Sequence, residues 1–183
     1  MKDRQENTKK LILMGMMTAV VCVLSILEIP MPTGVPITLQ TFALALCGYL
    51  LGWKGGFAST LLYVLLGTVG VPVFAGMSGG VGVLAGFTGG FLLGFPILGL
   101  LSGVGSHRKH GVSALAWGMA GLAIVHLLGT LQYSLLSQNS LWASFLLVSA
   151  PYLIKDVLLV AGAYVASRAV LRALRATRLY SLG

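Results

Sequence analysis

The sequence contains few charged residues. Only 9% of its 183 residues are charged and 57% are hydrophobic, whereas soluble domains usually carry about 25% charged residues. There are too few charged side chains to cover the surface of a soluble globule. The apolar residues instead form blocks close to the roughly 20 residues that cross a bilayer as helix. These blocks do not alternate apolar and polar residues, which excludes a membrane β-barrel. We therefore predict an all-α, multi-pass membrane protein.

Cysteine is also scarce, and the residue patterns of common catalytic sites are missing. Cys22 and Cys47 both lie inside apolar segments, where buried free thiols are expected, and their spacing indicates neither a metal site nor a disulfide framework. The sequence shows no nucleophile–base pair and no phosphate-binding loop. We predict no catalytic residues, no metal and no cofactor. A membrane-embedded enzyme that uses Asp156 and His126 is the weaker alternative.

The net charge of +8 is distributed as in membrane proteins, not as in nucleic-acid-binding proteins. Eleven of the twelve basic residues lie at the chain ends or in short turns that fall on one side of the predicted spans. Both termini are therefore expected in the cytoplasm, with basic tails at residues 1–10 and 172–183. The apolar run 11–29 is longer than the core of a signal peptide, so we expect it to remain as the first helix.

Prolines, glycines and polar turns divide the chain, taken as the single domain 1–183, into six predicted spans. Proline suits the first turn of a helix, so the last span is expected to begin at Pro151. The predicted spans are Leu11–Ile29, Ile37–Leu51, Gly56–Val71, Ala85–Val104, Val112–Leu136 and Pro151–Leu171.

A glycine-rich apolar stretch, Gly67–Phe95, contains ten glycines and no charge. Glycine weakens a helix interior by about 1 kcal/mol per position, and it permits close approach of the backbone to a neighbour or a ligand. We predict that Val73–Leu84 is irregular or re-entrant. The proline connection Pro30–Pro36 and the start of the sixth helix fall on the same outer side. Together the three segments are expected to form the walls of a ligand pocket.

Three formally charged residues lie inside the apolar blocks, where an unpaired charge costs several kcal/mol. They are Glu28, Lys155 and Asp156. Adjacent helical residues point about 100° apart, so Lys155 and Asp156 are expected not to satisfy each other alone. A ligand with a carboxylate and N–H donors is one way to satisfy both, and pairing with other helices is the alternative. Glu28 is expected at the membrane interface.

Several uncharged residues near these segments are further candidates. Thr38, Gln40 and Thr41 follow the prolines and are equally suited to bind a ligand or the loop backbone. Phe74, Thr88 and Phe91 offer apolar walls and one hydroxyl. His126 is expected to form hydrogen bonds between helices.

Small residues recur at a spacing of four, which permits close helix packing. Packing within the chain is the default interpretation, and a surface for a partner is the alternative. The residues are Gly15 and Ala19, then Gly48, Gly52 and Gly56, then Gly99 and Gly103.

Four motifs resemble those of the BioY family, the biotin-specific substrate-capture subunits of energy-coupling-factor (ECF) transporters. They occur in order in the three outward segments: PTGVPITLQT (32–41), GTVGVPVFAG (67–76), GFTGGFLLGF (86–95) and PYLIKD (151–156).

The resemblance implies a six-helix subunit of the bacterial cell membrane that captures biotin from outside. It implies a membrane coupling protein and two cytoplasmic ATPases as partners, with Gly15 and Ala19 facing the coupling protein. A stand-alone carrier of biotin or a related vitamin is the alternative. The implied ligand-binding positions are Thr38, Gln40, Phe74, Ala75, Gly76, Thr88, Gly89, Phe91, Tyr152, Lys155 and Asp156.

The sequence departs from the family pattern at three positions. Phe87 and Phe91 stand where the family usually has proline and tyrosine, and Leu159 stands where it usually has lysine. Lys155 lies four residues before Leu159, on the same helix face. We therefore hypothesise that Lys155 serves the pocket from one turn higher.

Overall fold

The structure is a computed structural model that describes residues 2–106 and 111–176. The predicted basic turn at His107–His110 and the basic residue Arg178 lie outside the described residues. The elements are α1 (Lys2–Ile26), β1 (Glu28–Ile29), β2 (Ile37–Thr38), α2 (Gln40–Thr68), a 3₁₀ turn (Ala75–Met77), α3 (Val81–Ala85), α4 (Gly89–Ser106), α5 (Gly111–Ser137), α6 (Leu141–Val148) and α7 (Ala150–Ala176).

Five helices of the described chain are long and apolar enough to cross a membrane, namely α1, α2, α4, α5 and α7. This confirms the predicted all-helical, multi-pass class. The first helix begins at Lys2 and not at Leu11 as predicted. The polar segment 2–10 is rich in lysine, arginine, glutamine and glutamate, which are good helix formers, so the helix continues beyond the apolar run.

The helix α2 reverses direction at Gly52, whose backbone is non-helical with φ 73° and ψ 179°. Gln40 Nε2 donates a hydrogen bond to Tyr63 Oη across a sequence separation of 23 residues, which a straight helix would hold about 34 Å apart. The predicted turn is therefore in the right place. It is tighter than expected, because the helix resumes at once and not at Gly56.

Glycines line the contact between the two arms of α2 and the helix α4. A Cβ atom built at Gly56 would lie 2.6 Å from Gly48 Cα and 2.5 Å from Gly99 O. A Cβ atom at Gly103 would meet the Gly52 and Trp53 backbone in the same way. The predicted internal packing is confirmed for these residues. Gly15 and Ala19 on α1 are instead exposed, and a Cβ atom at Gly15 would have no neighbour within 4 Å.

The helix α1 is joined to α2 by hydrogen bonds of small polar side chains. Thr18 Oγ1 donates to Ser59 O over 3.1 Å, and Ser59 Oγ donates to Met14 O over 3.2 Å. Bonds of this kind hold helices together where lipid provides no hydrophobic driving force between them.

The segments at one end of the bundle are more ordered than predicted. The proline connection is closed by an antiparallel strand pair in which Glu28 faces Thr38. The irregular segment Val73–Leu84 contains the 3₁₀ turn and most of α3, and α4 begins at Gly89, later than the predicted Ala85. The unpredicted helix α6 is capped by Ser140 Oγ, which accepts from Ala143 N over 3.2 Å.

Candidate functional site

A cavity of about 220 Å³ opens where the strand pair, the 3₁₀ turn, α4 and the start of α7 converge. It joins the proline connection, the glycine-rich stretch and the sixth predicted helix, which are distant in sequence. The lining residues are Glu28, Gly34, Val35, Pro36, Thr38, Gln40, Thr41, Phe74, Ala75, Ser78, Val83, Thr88, Phe91, Leu92, Phe95, Val125 and Lys155.

Most of the predicted binding positions line this cavity, and four do not. The positions on the wall are Thr38, Gln40, Phe74, Ala75, Thr88, Phe91 and Lys155. The other four positions, Gly76, Gly89, Tyr152 and Asp156, are not among the lining residues. Each of these four contacts part of the wall or a residue beside it.

Tyr152 supports the proline connection from behind. Its hydroxyl donates to Val35 O over 2.5 Å and lies 3.4 Å from Thr33 Oγ1. The side chain is 4% exposed. The first turn of α7 thereby fixes the loop that forms one side of the cavity.

Lys155 presents its ammonium group at the cavity wall. Its Nζ atom donates to Thr38 O over 3.1 Å and lies 2.8 Å from Asp156 Oδ1. It also lies 6.0 Å from the centroid of the Tyr152 ring, within cation–π range. One of its N–H donors has an acceptor in Thr38 O, and the Asp156 contact is an ion pair without hydrogen-bond geometry, so donor capacity remains for a molecule in the cavity.

Asp156 lies behind Lys155 and not on the wall. Its side chain is buried, and Oδ2 lies 3.4 Å from His126 Nε2 while Oδ1 contacts the Lys155 ammonium. The two side chains form an ion pair but do not satisfy each other alone, because Lys155 also donates to Thr38 O and Asp156 Oδ1 has no hydrogen-bond partner among the described residues. The alternative, pairing with another helix, holds for Asp156 through His126 on α5.

Thr38 and Gln40 are placed both to contact a ligand and to support the loop backbone, the two roles between which the sequence did not decide. Both line the cavity, and Thr38 Oγ1 also accepts from Gln40 N over 3.4 Å. The Gln40 amide donates to the Tyr63 hydroxyl. These residues therefore brace the strand end and leave polar edges toward the cavity.

Two aromatic rings form the apolar wall because glycines make room for them. Phe74 occupies the space beside Gly67 and meets Tyr63 edge to face at 5.5 Å. Phe91 packs against Gly129 on α5 in the same manner. A side chain at either glycine would displace a ring from the wall.

Glu28 also lines the cavity and is half-buried, and its location at the membrane interface stays a prediction. The strand pair turns its carboxylate inward, against Gly76, whose φ of 64° suits glycine. The cavity thus holds a carboxylate and an ammonium group among mainly apolar side chains. Such a site suits a compact, largely apolar ligand with both N–H donors and acceptor oxygens.

Gln132 is a supporting residue that the sequence analysis missed. From α5 its Nε2 donates to Leu84 O and Gly86 O, each over 2.7 Å, and its side chain packs against Gly89. It thereby provides a donor for backbone carbonyl oxygens at the end of α3. The feature of the sequence that could have indicated this role is a single amide side chain within an apolar helix.

Comparisons with known proteins agree with this architecture. Residues 1–176 match the BioY family. The biotin transporter BioY of Thermotoga maritima is 43% identical over 122 residues, covering 66% of this chain and 72% of that protein. The biotin transporter BioY2 of Lactococcus lactis is 35% identical over 179 residues, covering 96% of this chain and 98% of that protein.

A solved structure has the same fold. It is the crystal structure of the S-component for biotin from an ECF-type ABC transporter, which superposes with a TM-score of 0.83 at 25% identity. The match covers 92% of this chain and 93% of that one. These relatives are transporters, which confirms the prediction that the chain is not an enzyme. The chain belongs to the BioY family.

Proposed function

We propose that the protein captures biotin from outside a bacterial cell and delivers it as the substrate-binding subunit of an ATP-driven ECF transporter. The observation that carries this proposal is the cavity with Lys155 at its wall. It is formed by the motif-bearing segments of a chain whose relatives are biotin transporters.

The chemistry of biotin matches the cavity. Its fused rings are compact and largely apolar, and they would pack on the Phe74 and Phe91 rings that line the cavity. Its ureido group has two N–H donors and a carbonyl, and its tail ends in a carboxylate. A remaining N–H donor of Lys155 would bind a biotin oxygen, and the Glu28 carboxylate would accept from the ureido N–H groups. Asp156 would act through Lys155.

The proposed topology has six crossings with both termini in the cytoplasm. The crossings are α1, the two arms of α2, α4, α5 and α7. Lys54 lies beside the Gly52 turn, at the opposite end of the bundle from the cavity, and the N-terminal lysines and arginine lie at the same end. By the positive-inside rule this distribution supports the proposal that the cavity opens toward the outside of the cell.

The proposed partners are a membrane coupling protein and two cytoplasmic ATPases, which would supply the ATP chemistry. Gly15 and Ala19 are the proposed contact with the coupling protein. Both are exposed on α1, so a helix of another chain can approach them closely.

The direct test is thermal stabilisation of the purified protein in detergent. A ligand at a thousandfold excess over its Kd adds about 4 kcal/mol to the unfolding free energy. Biotin is expected to raise the melting temperature, whereas thiamine and riboflavin at the same concentration should not. No shift with biotin would refute the assignment.

A further inference from the structure

A row of buried polar side chains runs from α5 to the lysine at the cavity wall. The exposed fractions of His126, Thr130, Ser149 and Asp156 are 5%, 7%, 0% and 5%. Thr130 Oγ1 lies 2.7 Å from Ser149 Oγ, which lies 3.1 Å from His126 Nδ1. His126 Nε2 lies 3.4 Å from Asp156 Oδ2, and Asp156 Oδ1 lies 2.8 Å from Lys155 Nζ.

The hydrogen bonds in this row can run in only one direction if the carboxylate is ionised beside the ammonium group. A carboxylate only accepts, so the His126 Nε2 that faces it at 3.4 Å is the ring nitrogen that carries the proton. A neutral ring then accepts at Nδ1 from the Ser149 hydroxyl, and Ser149 Oγ accepts from Thr130. Hydrogen bonds join Thr130, Ser149 and His126 Nδ1. Among the described residues His126 Nε2 and Asp156 Oδ1 have no hydrogen-bond partner, so the rest of the row is held by the charged contacts of 3.4 Å and 2.8 Å.

We propose that His126 is a positioning residue for ligand capture. It does not line the cavity. It fixes one oxygen of Asp156, so that the other oxygen holds the Lys155 ammonium beside Thr38 O with an N–H directed at the ligand. This role rests on the proposed function, because the bound molecule is taken to be biotin.

A second contact connects His126 with the cavity. The Phe91 ring, which lines the wall, meets the His126 ring edge to face at a centroid distance of 6.0 Å and an interplanar angle of 88°. The Phe91 ring would therefore separate a ligand packed on it from the His126 ring. The imidazole supports both the apolar and the charged part of the wall.

Two amide substitutions separate the two ring nitrogens of His126. In H126Q the amide N–H₂ takes approximately the place of Nε2 and keeps the contact with Asp156. In H126N the shorter amide lies near the place of Nδ1 and loses that contact. We expect H126N to weaken biotin binding by about tenfold or more, within the range of couplings between contacting residues, and H126Q to stay within about threefold of the unmodified protein.

Biotin Kd values are measured calorimetrically on the full chain in detergent, together with melting temperatures without ligand. Equal affinities for H126N and the unmodified protein, or equal losses in H126N and H126Q, would overturn the proposal. Ser149→Ala provides a second variant if H126N does not fold. It removes the partner of Nδ1 and should weaken binding severalfold, and unchanged affinity in S149A would also count against the role.

A double-mutant cycle with Lys155→Met tests whether His126 acts through the lysine. If it does, H126N/K155M should bind within about twofold of K155M alone, because the positioned group is already absent. Independent, multiplying losses would show that His126 acts elsewhere and would overturn the proposal. Failure of the unmodified chain to bind biotin would instead refute the proposed function, and this role with it.

Discussion

The hydroxyl of Tyr152 donates a hydrogen bond to the carbonyl oxygen of Val35 over 2.5 Å. Together with the 3.4 Å contact of the same hydroxyl to Thr33 Oγ1, this bond connects the first turn of α7 with the proline connection. The loop at the cavity is therefore held to the helix that carries Lys155, so the geometry of the two walls is coupled.

Tyr152→Phe removes this bond and keeps the ring. We expect the affinity for biotin to fall about two- to tenfold, because a net hydrogen bond contributes about 0.5–1.5 kcal/mol. The Kd of purified protein is the measurement. Thr33→Val is the matched control, since it keeps the Tyr152–Val35 bond and removes the longer 3.4 Å contact to the same hydroxyl, together with the 3.4 Å bond from Val35 N to Thr33 Oγ1. An unchanged Kd in Tyr152→Phe would mean that the loop is held by other contacts.

Lys155→Met keeps the aliphatic length and removes the charge. We expect biotin affinity to fall at least about tenfold, since a hydrogen bond to a charged group contributes about 1.5–3 kcal/mol. The hypothesis that Lys155 replaces a lysine at position 159 adds a rescue: Lys155→Met/Leu159→Lys should recover part of the loss. The measurement is the calorimetric Kd of biotin for the unmodified protein, Lys155→Met and the double variant. A double variant no better than Lys155→Met would contradict the compensation.

Glu28→Gln exchanges the acceptor carboxylate in the cavity for an amide of nearly the same shape. Biotin binding should weaken by about tenfold if Glu28 accepts the ureido N–H groups, because bonds to charged acceptors are the stronger ones. Desthiobiotin, which keeps the ureido group, should lose the same factor. Equal affinity of Glu28→Gln and the unmodified protein for both ligands would remove Glu28 from the binding site.

Leucine substitutions at Gly15 and Gly48 compare an exposed small residue with a buried one. Gly48→Leu should prevent stable folding, since a Cβ atom alone would lie 2.7 Å from Ser102 Cβ. Gly15→Leu should leave melting temperature and biotin Kd unchanged but reduce co-purification with the coupling protein and ATPases. Gly82→Leu, at another glycine with open space around it, is the control. Retention of the complex by Gly15→Leu would contradict the proposed contact.

The positions of the walls could be predicted because their signals are local. The prolines at 30–36, the glycines at 67–95 and Pro151 each break or begin a helix by their own backbone chemistry. Glycine also marks the reversal at Gly52 in the sequence, but no local pattern shows how tight the turn is. The tightness of the turn depends on how closely Gly48 and Gly56 approach Gly99 on another helix.

The arrangement of the charges could not be predicted in the same way. The pairing of Lys155 with Asp156 depends on the conformation of a flexible lysine side chain. The contact of Asp156 with His126 depends on the packing of α7 against α5, and the two residues are distant in sequence. The Glu28 side chain turns inward because β1 pairs with β2. Each strand has only two residues, which is too short to produce a periodic pattern in the sequence.

The reversal of α2 at Gly52 has a consequence for the surrounding bilayer. At 1.5 Å per residue, residues 40–51 rise about 18 Å and residues 53–68 about 24 Å, whereas the hydrocarbon core is about 30 Å thick. In the proposed topology the first arm has no exposed residue, whereas the second arm exposes Phe57, Leu62 and Leu65. Lipids beside the second arm would thin to match it, at a cost of fractions of a kcal/mol per Å of mismatch. The side of the protein formed by α2 therefore matches a thinner bilayer than the other sides. The thickness of the surrounding bilayer is expected to affect the protein through this helix.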